Sequence, residues 1–302
     1  MAVLPSIRLL RALHPACRLT LVCREEYGEV LLRTGAVDEL EPESRPRFSG
    51  LFSGSGPIPE ESASWLGRFD RVWGWMQSPG KGDLEGTLDH FGKAYRFLRY
   101  DPASDLTVSR FFFEATARLL SPAGSPRISF EECFFLQLTD AEKDVGFRLA
   151  GKLGLPPASP YAVIHPGSGG RAKRWPLDRF LEVAVRLSGR NVAGVFVTGE
   201  AEADLAVRLD QISLPPRWVH VSNPDIMNLA GLLARSALYF GNDCGVSHLA
   251  AACGTKVIAV FRKETEAAWT PGGRTMVISA RDTASVPLDS VLSAAGLLLS
   301  SS

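Results

Sequence analysis

The spacing of apolar positions alternates along this chain between two patterns. Short continuous apolar runs are typical of strands buried on both faces, and apolar residues three and four positions apart are typical of amphipathic helices. In the second half, the patterns predict strands over residues 161–165, 192–198, 218–221, 237–241 and 256–261. They predict helices over residues 176–187, 202–209, 227–235 and 246–253. This alternation, with its short connections, predicts a doubly wound α/β domain with a parallel sheet of the Rossmann type.

The first half shows the same alternation less clearly. Its patterns predict helices over residues 4–13, 25–34 and 105–120, and strands over residues 18–23, 70–76 and 95–98. Thr139, with Glu142 three residues later, has the spacing of a capping box that begins a helix running to Gly154. The proline-rich segment 155–160 is typical of a stiff linker. We therefore predict two domains, an N-terminal one over residues 1–155 and a C-terminal one over residues 156–302.

The composition argues against several classes of protein. Basic and acidic residues number 33 each, so no overall positive field draws the chain to nucleic acid. The five cysteines form no C-x-x-C pair, which argues against a disulfide framework and against a zinc site. The N-terminus lacks a signal-peptide pattern, and no apolar run reaches the roughly 18 residues of a transmembrane helix. We therefore expect a protein of the reducing cytoplasm, whose contact with a membrane is at most peripheral.

A glycine-rich loop follows the first strand of the second half. Residues 165–176 read His-Pro-Gly-Ser-Gly-Gly-Arg-Ala-Lys-Arg-Trp-Pro and lie at the carboxyl end of that strand, where open α/β sheets bind ligands. Gly167, Gly169 and Gly170 allow the backbone to approach a phosphate closely. Ser168 offers a hydroxyl, and Lys173 has the charge to pair with a diphosphate. A glycine-rich turn that feeds the next helix explains the glycines equally well, so both interpretations stay open.

A second loop of this kind, Gly-Asn-Asp-Cys-Gly-Val-Ser-His over residues 241–248, also joins a strand to a helix. Because both loops follow strands of one sheet, we expect them to converge. Gly245 and Ser247 lie at the helix start, where unpaired backbone N–H groups stabilise phosphate oxygens, and His248 can add a donor. Asp243 would repel a diphosphate, so hydrogen bonding to sugar hydroxyls suits it better. For Asp243 and His248 taken singly, a helix N-cap and a core histidine are the simpler interpretations.

A third loop, Thr-Gly-Glu-Ala-Glu over residues 198–202, follows the next strand. Thr198 and Gly199 end the strand, and Glu200 leads towards the following helix. A carboxylate at this place can accept hydrogen bonds from a ribose. It can equally stabilise the helix N-terminus, so by itself this loop indicates little.

The first two loops together resemble glycosyltransferase family 9, the ADP-heptose:lipopolysaccharide heptosyltransferases. The resemblance rests on the motif at residues 165–169 with Lys173 and Trp175-Pro176, and on Asn-Asp-Cys-Gly-Val-Ser-His-Leu-Ala-Ala-Ala at residues 242–252. It is strong over residues 161–261 and weaker over the first 40 residues, where residues 2–15 resemble the first helix of the family. It implies a GT-B fold, in which two Rossmann-like domains with parallel sheets face each other. The C-terminal domain binds the donor and the N-terminal domain binds the acceptor.

The resemblance implies a role for each matching position. Lys173 neutralises the departing diphosphate, Ser168 and Gly169 cradle it, and Asp243 contacts the heptose. Glu200 holds the adenosine ribose, and the start of the helix at Gly245 lines the diphosphate. The implied donor-binding positions are Gly167, Ser168, Gly169, Lys173, Thr198, Gly199, Glu200, Asp243, Cys244, Gly245, Ser247 and His248.

The implied reaction is an inverting transfer that needs neither a metal nor another cofactor. It moves a heptose, or a related sugar, from ADP-heptose to a lipid-linked saccharide acceptor of the lipopolysaccharide core type. The resemblance further implies a monomer that works in the cytoplasm or at the inner face of the inner membrane.

Two features depart from the family pattern. Cys244 stands where the family has Thr or Ser, which removes one hydroxyl contact and leaves the backbone site in place. Family members begin with a strand and a Gly-rich loop that ends in the general-base aspartate, whereas Met1 here lies at the beginning of the first helix. The general base is therefore assigned to no residue of this chain. Either translation starts upstream of Met1 or the protein is truncated, and the interior-like sequence Met-Ala-Val-Leu-Pro favours the first.

Three functions follow from these observations. The first is the transferase itself. The second is a remnant that binds a nucleotide sugar without transferring it, which the unassigned base suggests. The third is a sugar-nucleotide epimerase, because such enzymes share the two-domain fold.

Overall fold

The computed structural model of the chain describes residues 1–48, 59–76, 88–89, 94–120, 128–155 and 160–300. Its backbone divides into two compact units, one of Val3–Cys133 and the other of Met1–Ala2 with Phe134–Ser302. The helices that begin in the described residues of the first unit are α1 (Leu4–Leu13), α2 (Glu25–Arg33), α3 (Glu60–Gly67), α4 (Val108–Leu120) and α5 (Phe130–Phe134). Its strands are β1 (Thr20–Cys23), β2 (Glu39–Pro42), β3 (Arg71–Met76) and β4 (Ala94–Arg99).

In the described residues of the first unit, the strands form two parallel pairs, β1 with β2 and β3 with β4. Helix α1 packs against α4, and its apolar face, which includes Leu4, Ile7 and Leu10, is buried. The helix predicted over residues 4–13 is confirmed to the residue. Strand β2 was not predicted because its sequence, Glu-Leu-Glu-Pro, is too short and too polar to show a strand pattern.

The second unit is a six-stranded parallel sheet with helices around it. Its helices are α6 (Asp140–Lys152), α7 (Leu177–Ser188), α8 (Ala203–Gln211), α9 (Ile226–Arg235), α10 (Gly245–Ala252), α11 (Lys263–Trp269) and α12 (Leu288–Ser300). Its strands are β5 (Tyr161–His165), β6 (Ala193–Thr198), β7 (Trp218–Ser222), β8 (Leu238–Asn242), β9 (Val257–Arg262) and β10 (Thr275–Ala280). The predicted strands of this half all occur, and the last strand and the last two helices lie beyond the predicted ones.

The strand order of this sheet is β7-β6-β5-β8-β9-β10, with every neighbouring pair parallel. Every residue of β5, β6 and β8 is buried, as their continuous apolar runs predict for central parallel strands. The chain winds outward from β5 to β7 and then returns to place β8 on the other side of β5. The direction of winding thus reverses between β5 and β8, and the predicted doubly wound α/β fold is confirmed.

Helix α6 belongs to the second unit because it packs along α9. It begins with the predicted capping box, in which the Glu142 backbone N–H donates to Thr139 Oγ1 at 3.3 Å and the Thr139 N–H donates to Glu142 Oε2 at 2.7 Å. The boundary between the two compact units therefore lies between Cys133 and Phe134, before α6, whereas the sequence predicted it after this helix, between residues 155 and 156. Residues 156–159 of the predicted linker lie outside the described part of the chain.

The crossing of α6 and α9 requires glycine on both helices. A Cβ at Gly146 would lie 1.9 Å from the Gly231 carbonyl carbon and 2.1 Å from the Leu232 nitrogen, both of which are backbone atoms. We expect Gly146→Ala to lower the free energy of unfolding by about 1–3 kcal/mol, because the helices must separate. Gly151→Ala in the same helix is the matched control, since a Cβ there meets no atom within 4 Å. Alanine's higher helix propensity should make that variant neutral or slightly stabilising in thermal melts. Equal melting temperatures for the two variants would contradict the close crossing.

Candidate functional site

The carboxyl ends of β5 and β8 bring the first two predicted loops together. The two strands are neighbours, with His165 in register with Gly241. The loops that follow them, residues 166–176 and residues 243–244, leave the sheet side by side. This is the topological switch point, where open α/β sheets bind ligands. The convergence that the sequence predicts is therefore present.

Asn242, the last residue of β8, ties the two loops into one unit. Its side chain is fully buried, and Nδ2 donates to the carbonyl oxygens of Pro166 at 2.9 Å and Gly167 at 3.2 Å. Its Oδ1 accepts from the Trp175 backbone N–H at 2.9 Å. One amide side chain thus fixes both ends of the 166–176 loop.

Asp243 holds the centre of the site. The carboxylate oxygen Oδ2 accepts from Lys173 Nζ at 2.9 Å and from Thr265 Oγ1 at 3.0 Å. The Ser168 hydroxyl donates to the Asp243 carbonyl oxygen at 2.9 Å. The Asp243 side chain is 7% exposed and that of Lys173 is 39% exposed, so of the two only the lysine side chain is appreciably exposed to solvent. Asp243 is not the N-cap of α10, because Cys244 occupies that position and the Asp243 carboxylate turns towards Lys173 instead.

The start of α10 supplies the remaining polar groups of the second loop. Gly245 is exposed, whereas Ser247 is buried and donates from Oγ to the Asn242 carbonyl oxygen at 2.6 Å. His248 is partly exposed. The centroid of its ring lies 6.3 Å from that of the Trp269 ring, in an edge-on arrangement. Burial lowers the pKa of His248 to about 4, so the ring is neutral at pH 7. It can offer one neutral N–H to a ligand and adds no charge.

The Cys244 thiol lies behind this helix start. Its Sγ is 3.5 Å from Ser247 Oγ and 3.8 Å from Tyr239 Oη. Burial tends to raise the pKa of this thiol, but the charge and hydrogen bond of His165 outweigh burial and lower the pKa to about 7. The same coupling raises the pKa of His165 against the opposing effect of burial.

The two acidic residues of the third predicted loop differ in their exposure to solvent. Glu200 is exposed, whereas Glu202 is 5% exposed and accepts from the Gly199 N–H at 3.0 Å. Glu202 also packs under the first loop, where a Cβ at Gly167 would lie 2.3 Å from its carboxyl carbon. Position 167 therefore requires glycine, because the Glu202 side chain lies too close to leave room for a Cβ. By contrast, a Cβ at Gly169 would meet no atom within 4 Å.

Thr198, which ends β6, is buried and belongs to a chain of side-chain hydrogen bonds. Its Oγ1 lies 2.9 Å from His220 Nε2, and His220 Nδ1 lies 2.7 Å from Asp210 Oδ1. A carboxylate only accepts, so Nδ1 carries the proton in the neutral ring and the Thr198 hydroxyl donates to Nε2. The Thr198 oxygen is thereby left as an acceptor.

The two arginines of the first loop are held by Asp204. Arg174 donates to both Asp204 carboxylate oxygens, at 3.2 and 3.1 Å, and to the Ala201 carbonyl oxygen at 3.2 Å. The Arg171 side chain is 85% exposed, and its nearest nitrogen, Nη2, lies 3.7 Å from Asp204 Oδ2, farther than the nitrogens of Arg174. Lys173 is thus the cation of this loop that faces the second loop.

Sequence reasoning missed three residues of this arrangement. Thr265 lies in α11, for which the apolar pattern gave no prediction. Glu202 stands two positions after the predicted Glu200, and only the packed structure shows which of the two turns inward. Asn242 belongs to the motif, yet its role as a bridge depends on the neighbouring strand. A polar residue that ends an otherwise apolar strand was the available signal for it.

Metal-binding clusters and membrane-spanning helices are both absent from the described part of the chain. There, no group of three or more His, Cys, Asp or Glu side chains is arranged to hold a metal ion. None of the described helices combines the length and apolar character that crossing a bilayer requires.

Comparison with known sequences identifies a family and a relative. A family model described as glycosyltransferase family 9 (heptosyltransferase) matches residues 104–289. The lipooligosaccharide heptosyltransferase 2 of Campylobacter jejuni is 33% identical over 103 residues, which are 32% of this chain and 32% of that protein. The alignment thus spans about a third of the length of this curated relative.

Several solved structures share the fold over nearly the whole chain. A glycosyl transferase of family 9 from Veillonella parvula has a TM-score of 0.79 at 18% identity, covering 100% of this chain and 94% of that one. The ADP-heptose lps heptosyltransferase II of E. coli has a TM-score of 0.74 at 17% identity, covering 99% and 95%. The E. coli heptosyltransferase WaaC with ADP has a TM-score of 0.68 at 17% identity, covering 98% and 95%. At these identities the likeness concerns the fold, and the GT-B fold is confirmed.

Proposed function

This chain belongs to glycosyltransferase family 9, and on that premise we propose that it transfers a heptose, or a related sugar, from ADP-heptose to a lipopolysaccharide core-type acceptor. The proposal includes inversion at the anomeric carbon and a reaction without a metal or other cofactor. It further includes a monomer acting in the cytoplasm or at the inner face of the inner membrane. The names of the relatives support the heptose donor and the lipopolysaccharide acceptor.

The observation that carries the proposal is the contact of Lys173 with Asp243 at the switch point, at 2.9 Å. A cation held by a buried carboxylate, next to the N-terminus of α10, suits a ligand that has both a diphosphate and a sugar. The ammonium has three donors, so it can contact a diphosphate oxygen while Asp243 still holds it. The helix start adds backbone N–H groups and the positive end of the dipole.

In the proposed reaction, an acceptor hydroxyl oxygen attacks the anomeric carbon as the bond from that carbon to the diphosphate oxygen breaks. The diphosphate leaves with the bonding electron pair, and Lys173 with the start of α10 stabilises the new charge. Ser168, Gly169 and Gly167 lie at the diphosphate, and Asp243 offers its second carboxylate oxygen to sugar hydroxyls. A general base takes the proton of the acceptor hydroxyl, and we assign that role to no residue of this chain.

In this proposal, the third loop binds the nucleoside of the donor. Thr198 and Gly199 border the ribose, and the exposed Glu200 accepts hydrogen bonds from its hydroxyls. Cys244, Gly245, Ser247 and His248 contribute the helix start, chiefly through the backbone, since the Ser247 hydroxyl already donates to Asn242.

Lys173→Ala tests the donor site directly. We expect it to weaken the binding of ADP-heptose by about 10- to 100-fold in calorimetry, because it removes a charge-assisted hydrogen bond of about 1.5–3 kcal/mol. Arg171→Ala is the matched control, since it removes the same charge from the same loop at an 85% exposed position. Equal affinity of the Lys173 variant and the unsubstituted chain would refute the donor site.

A product assay separates the three candidate functions. Release of ADP together with a lengthened acceptor supports transfer. Binding of ADP-heptose without turnover supports a binding protein. A free nucleotide sugar with altered configuration supports an epimerase.

A further inference from the structure

A cavity lies at the amino end of the six-stranded sheet, opposite the candidate functional site. Its volume is about 660 Å³, and its described lining residues all belong to the second unit. Its walls come from the segments that lead into five of the strands and from the last turns of α12. Pro160 lines the cavity directly before β5, and Pro166 begins the first loop directly after that strand, a span of about 20 Å. The proposed function does not use this cavity.

The charged side chains that line the cavity are basic. Arg190 precedes β6, Lys256 directly precedes β9 and Arg274 directly precedes β10. No aspartate or glutamate is among the described lining residues. A cleft that is lined by charges of one sign concentrates ions of the opposite sign, so this lining favours a bound anion.

The two arginines of the cavity differ from the lysine in their partners. Lys256 Nζ donates to the Leu298 carbonyl oxygen at 2.7 Å, so its charge offsets the negative end of the α12 dipole. Neither Arg190 nor Arg274 forms a side-chain hydrogen bond or an ion pair with a described residue. By contrast, Arg186 in the last turn of α7 pairs with an acidic residue of its own helix at 3.8 Å. The charges of the two cavity arginines are therefore available to a ligand.

The strand order separates these two arginines. In the sheet, β6 and β10 are four strand positions apart, so the backbones that carry Arg190 and Arg274 are about 19 Å apart. Both side chains line the same cavity, so they flank it from opposite sides. This arrangement suits a molecule with an anionic group at each end better than a single small anion.

Two hydroxyl groups between the cations give the cavity hydrogen-bond acceptors. Ser236 Oγ and Thr255 Oγ1, which line the cavity, both donate to the Leu233 carbonyl oxygen, at 2.8 and 2.6 Å. Each hydroxyl has one proton, which is used in this bond, so each oxygen is left to accept. An acceptor repels a phosphate and suits a hydroxyl group of a ligand. The cations and the hydroxyls thus fit different parts of one molecule.

We propose that this cavity is a second ligand site, which binds a hydroxylated organic molecule that has a phosphate group at each end. The phosphates contact Arg190 and Arg274, and hydroxyl groups between them donate to Ser236 and Thr255. The volume of about 660 Å³ lies within the range of about 300–1,000 Å³ that is typical of small-molecule sites. A soluble sugar bisphosphate and the headgroup of diphosphatidylglycerol share this chemistry. The site does not depend on the proposed function.

Calorimetric titration with fructose 1,6-bisphosphate tests the two arginines. We expect binding to the unsubstituted chain, and a loss of about 10-fold or more in the double variant Arg190→Ala with Arg274→Ala. The loss is shared between two exposed positions, because solvent screens part of each contact. Arg186→Ala is the matched control, since it removes the same charge outside the cavity lining and should change the affinity less than about twofold. Equal affinity of the double variant and the unsubstituted chain overturns the site, and so does an unsubstituted chain that does not bind.

Gly296→Phe tests the cavity without changing a charge. Gly296 lines the cavity from α12, and a Cβ there would meet no atom within 4 Å, so a phenyl group can enter the space that the ligand needs. We expect a loss of affinity of at least about 10-fold, whereas Gly296→Ala should keep most of the binding. Melting curves show whether both variants are folded. A folded Gly296→Phe protein with unchanged affinity places the sugar bisphosphate outside the cavity and overturns the proposal.

Lys173→Ala separates the cavity from the donor site. Because the two sites lie at opposite ends of the strands, this variant should bind fructose 1,6-bisphosphate with unchanged affinity. Loss of binding in it would place the sugar bisphosphate at the donor loops and overturn the second site. A chain that does not bind ADP-heptose refutes the proposed function and leaves this measurement intact, so the two proposals fail separately.

Vesicle sedimentation distinguishes the two sources of the phosphates. The vesicles contain diphosphatidylglycerol in phosphatidylcholine, and vesicles of phosphatidylcholine alone are the control. Sedimentation that requires both diphosphatidylglycerol and the two arginines assigns the phosphates to a lipid headgroup. Binding of fructose 1,6-bisphosphate without sedimentation assigns them to a soluble molecule, and a chain that binds neither overturns the proposal.

Discussion

Replacing Asp243 with alanine is expected to lower kcat/KM for sugar transfer about 100-fold, at the upper end of the loss of affinity expected for Lys173→Ala. The carboxylate holds Lys173 and Thr265 through one oxygen and leaves the other for the sugar. Without it, the Lys173 ammonium loses the partner that fixes its place beside the helix start. The transition state then loses a sugar contact and a positioned cation together. Initial rates at several ADP-heptose concentrations, with ADP-heptose affinity from calorimetry, measure the loss.

Thr265→Val is the control for Asp243→Ala. It removes one hydrogen bond to the same carboxylate oxygen and leaves the ion pair with Lys173 in place, so we expect a loss of only about 3- to 10-fold. The double variant Asp243→Ala with Lys173→Ala should lose much less than the product of the two single losses, because the two side chains act through each other. An Asp243→Ala protein within threefold of the unsubstituted chain in both kcat/KM and affinity would contradict the central role of this carboxylate.

The sheet that carries the site could be predicted from the sequence because its strands are continuous apolar runs. Strands β5, β6 and β8 are buried along their whole length, so the pattern has one interpretation. Parallel strands bring their carboxyl ends to one edge, and the convergence of the two loops follows from that. Strand β2 was missed since its Glu-Leu-Glu-Pro sequence is held by pairing with β1 and not by apolar burial of its own.

The contacts within the site could not be predicted in the same way, because they depend on residues distant in sequence. Thr265 reaches Asp243 from 22 positions away, and it does so only because β9 places α11 beside the end of β8. Glu200 and Glu202 share one short turn, and the space under Gly167 decides which of them is buried. The sequence supplied the candidate donors and acceptors, and the strand order decided how they pair.

Replacing Asn242 with alanine is expected to lower the free energy of unfolding by about 3 kcal/mol, the largest loss of stability that we expect from a substitution in either loop. The amide makes three hydrogen bonds, to the carbonyl oxygens of Pro166 and Gly167 and from the Trp175 N–H. Because the side chain is fully buried, alanine leaves these backbone groups without a partner and away from water. Urea unfolding measures the change, and Asn228→Ala in α9 is the control, where a half-buried asparagine should cost less than about 0.5 kcal/mol.

Asn242→Ala also distinguishes the effect of losing the bridge between the two loops from the effect of losing a group that binds the donor. Among the described residues the Asn242 side chain hydrogen-bonds to backbone groups, so its loss should weaken ADP binding by releasing the loop that carries Ser168 and Lys173. Asp243→Ala should lower the rate of transfer with a smaller loss of stability, because its partner Lys173 is 39% exposed and solvent can take over part of that interaction. The two variants should therefore differ in the ratio of stability loss to affinity loss. If Asn242→Ala unfolds with the same midpoint as Asn228→Ala, the buried amide is not what joins the two loops, and the site must be held together by the ion pair instead.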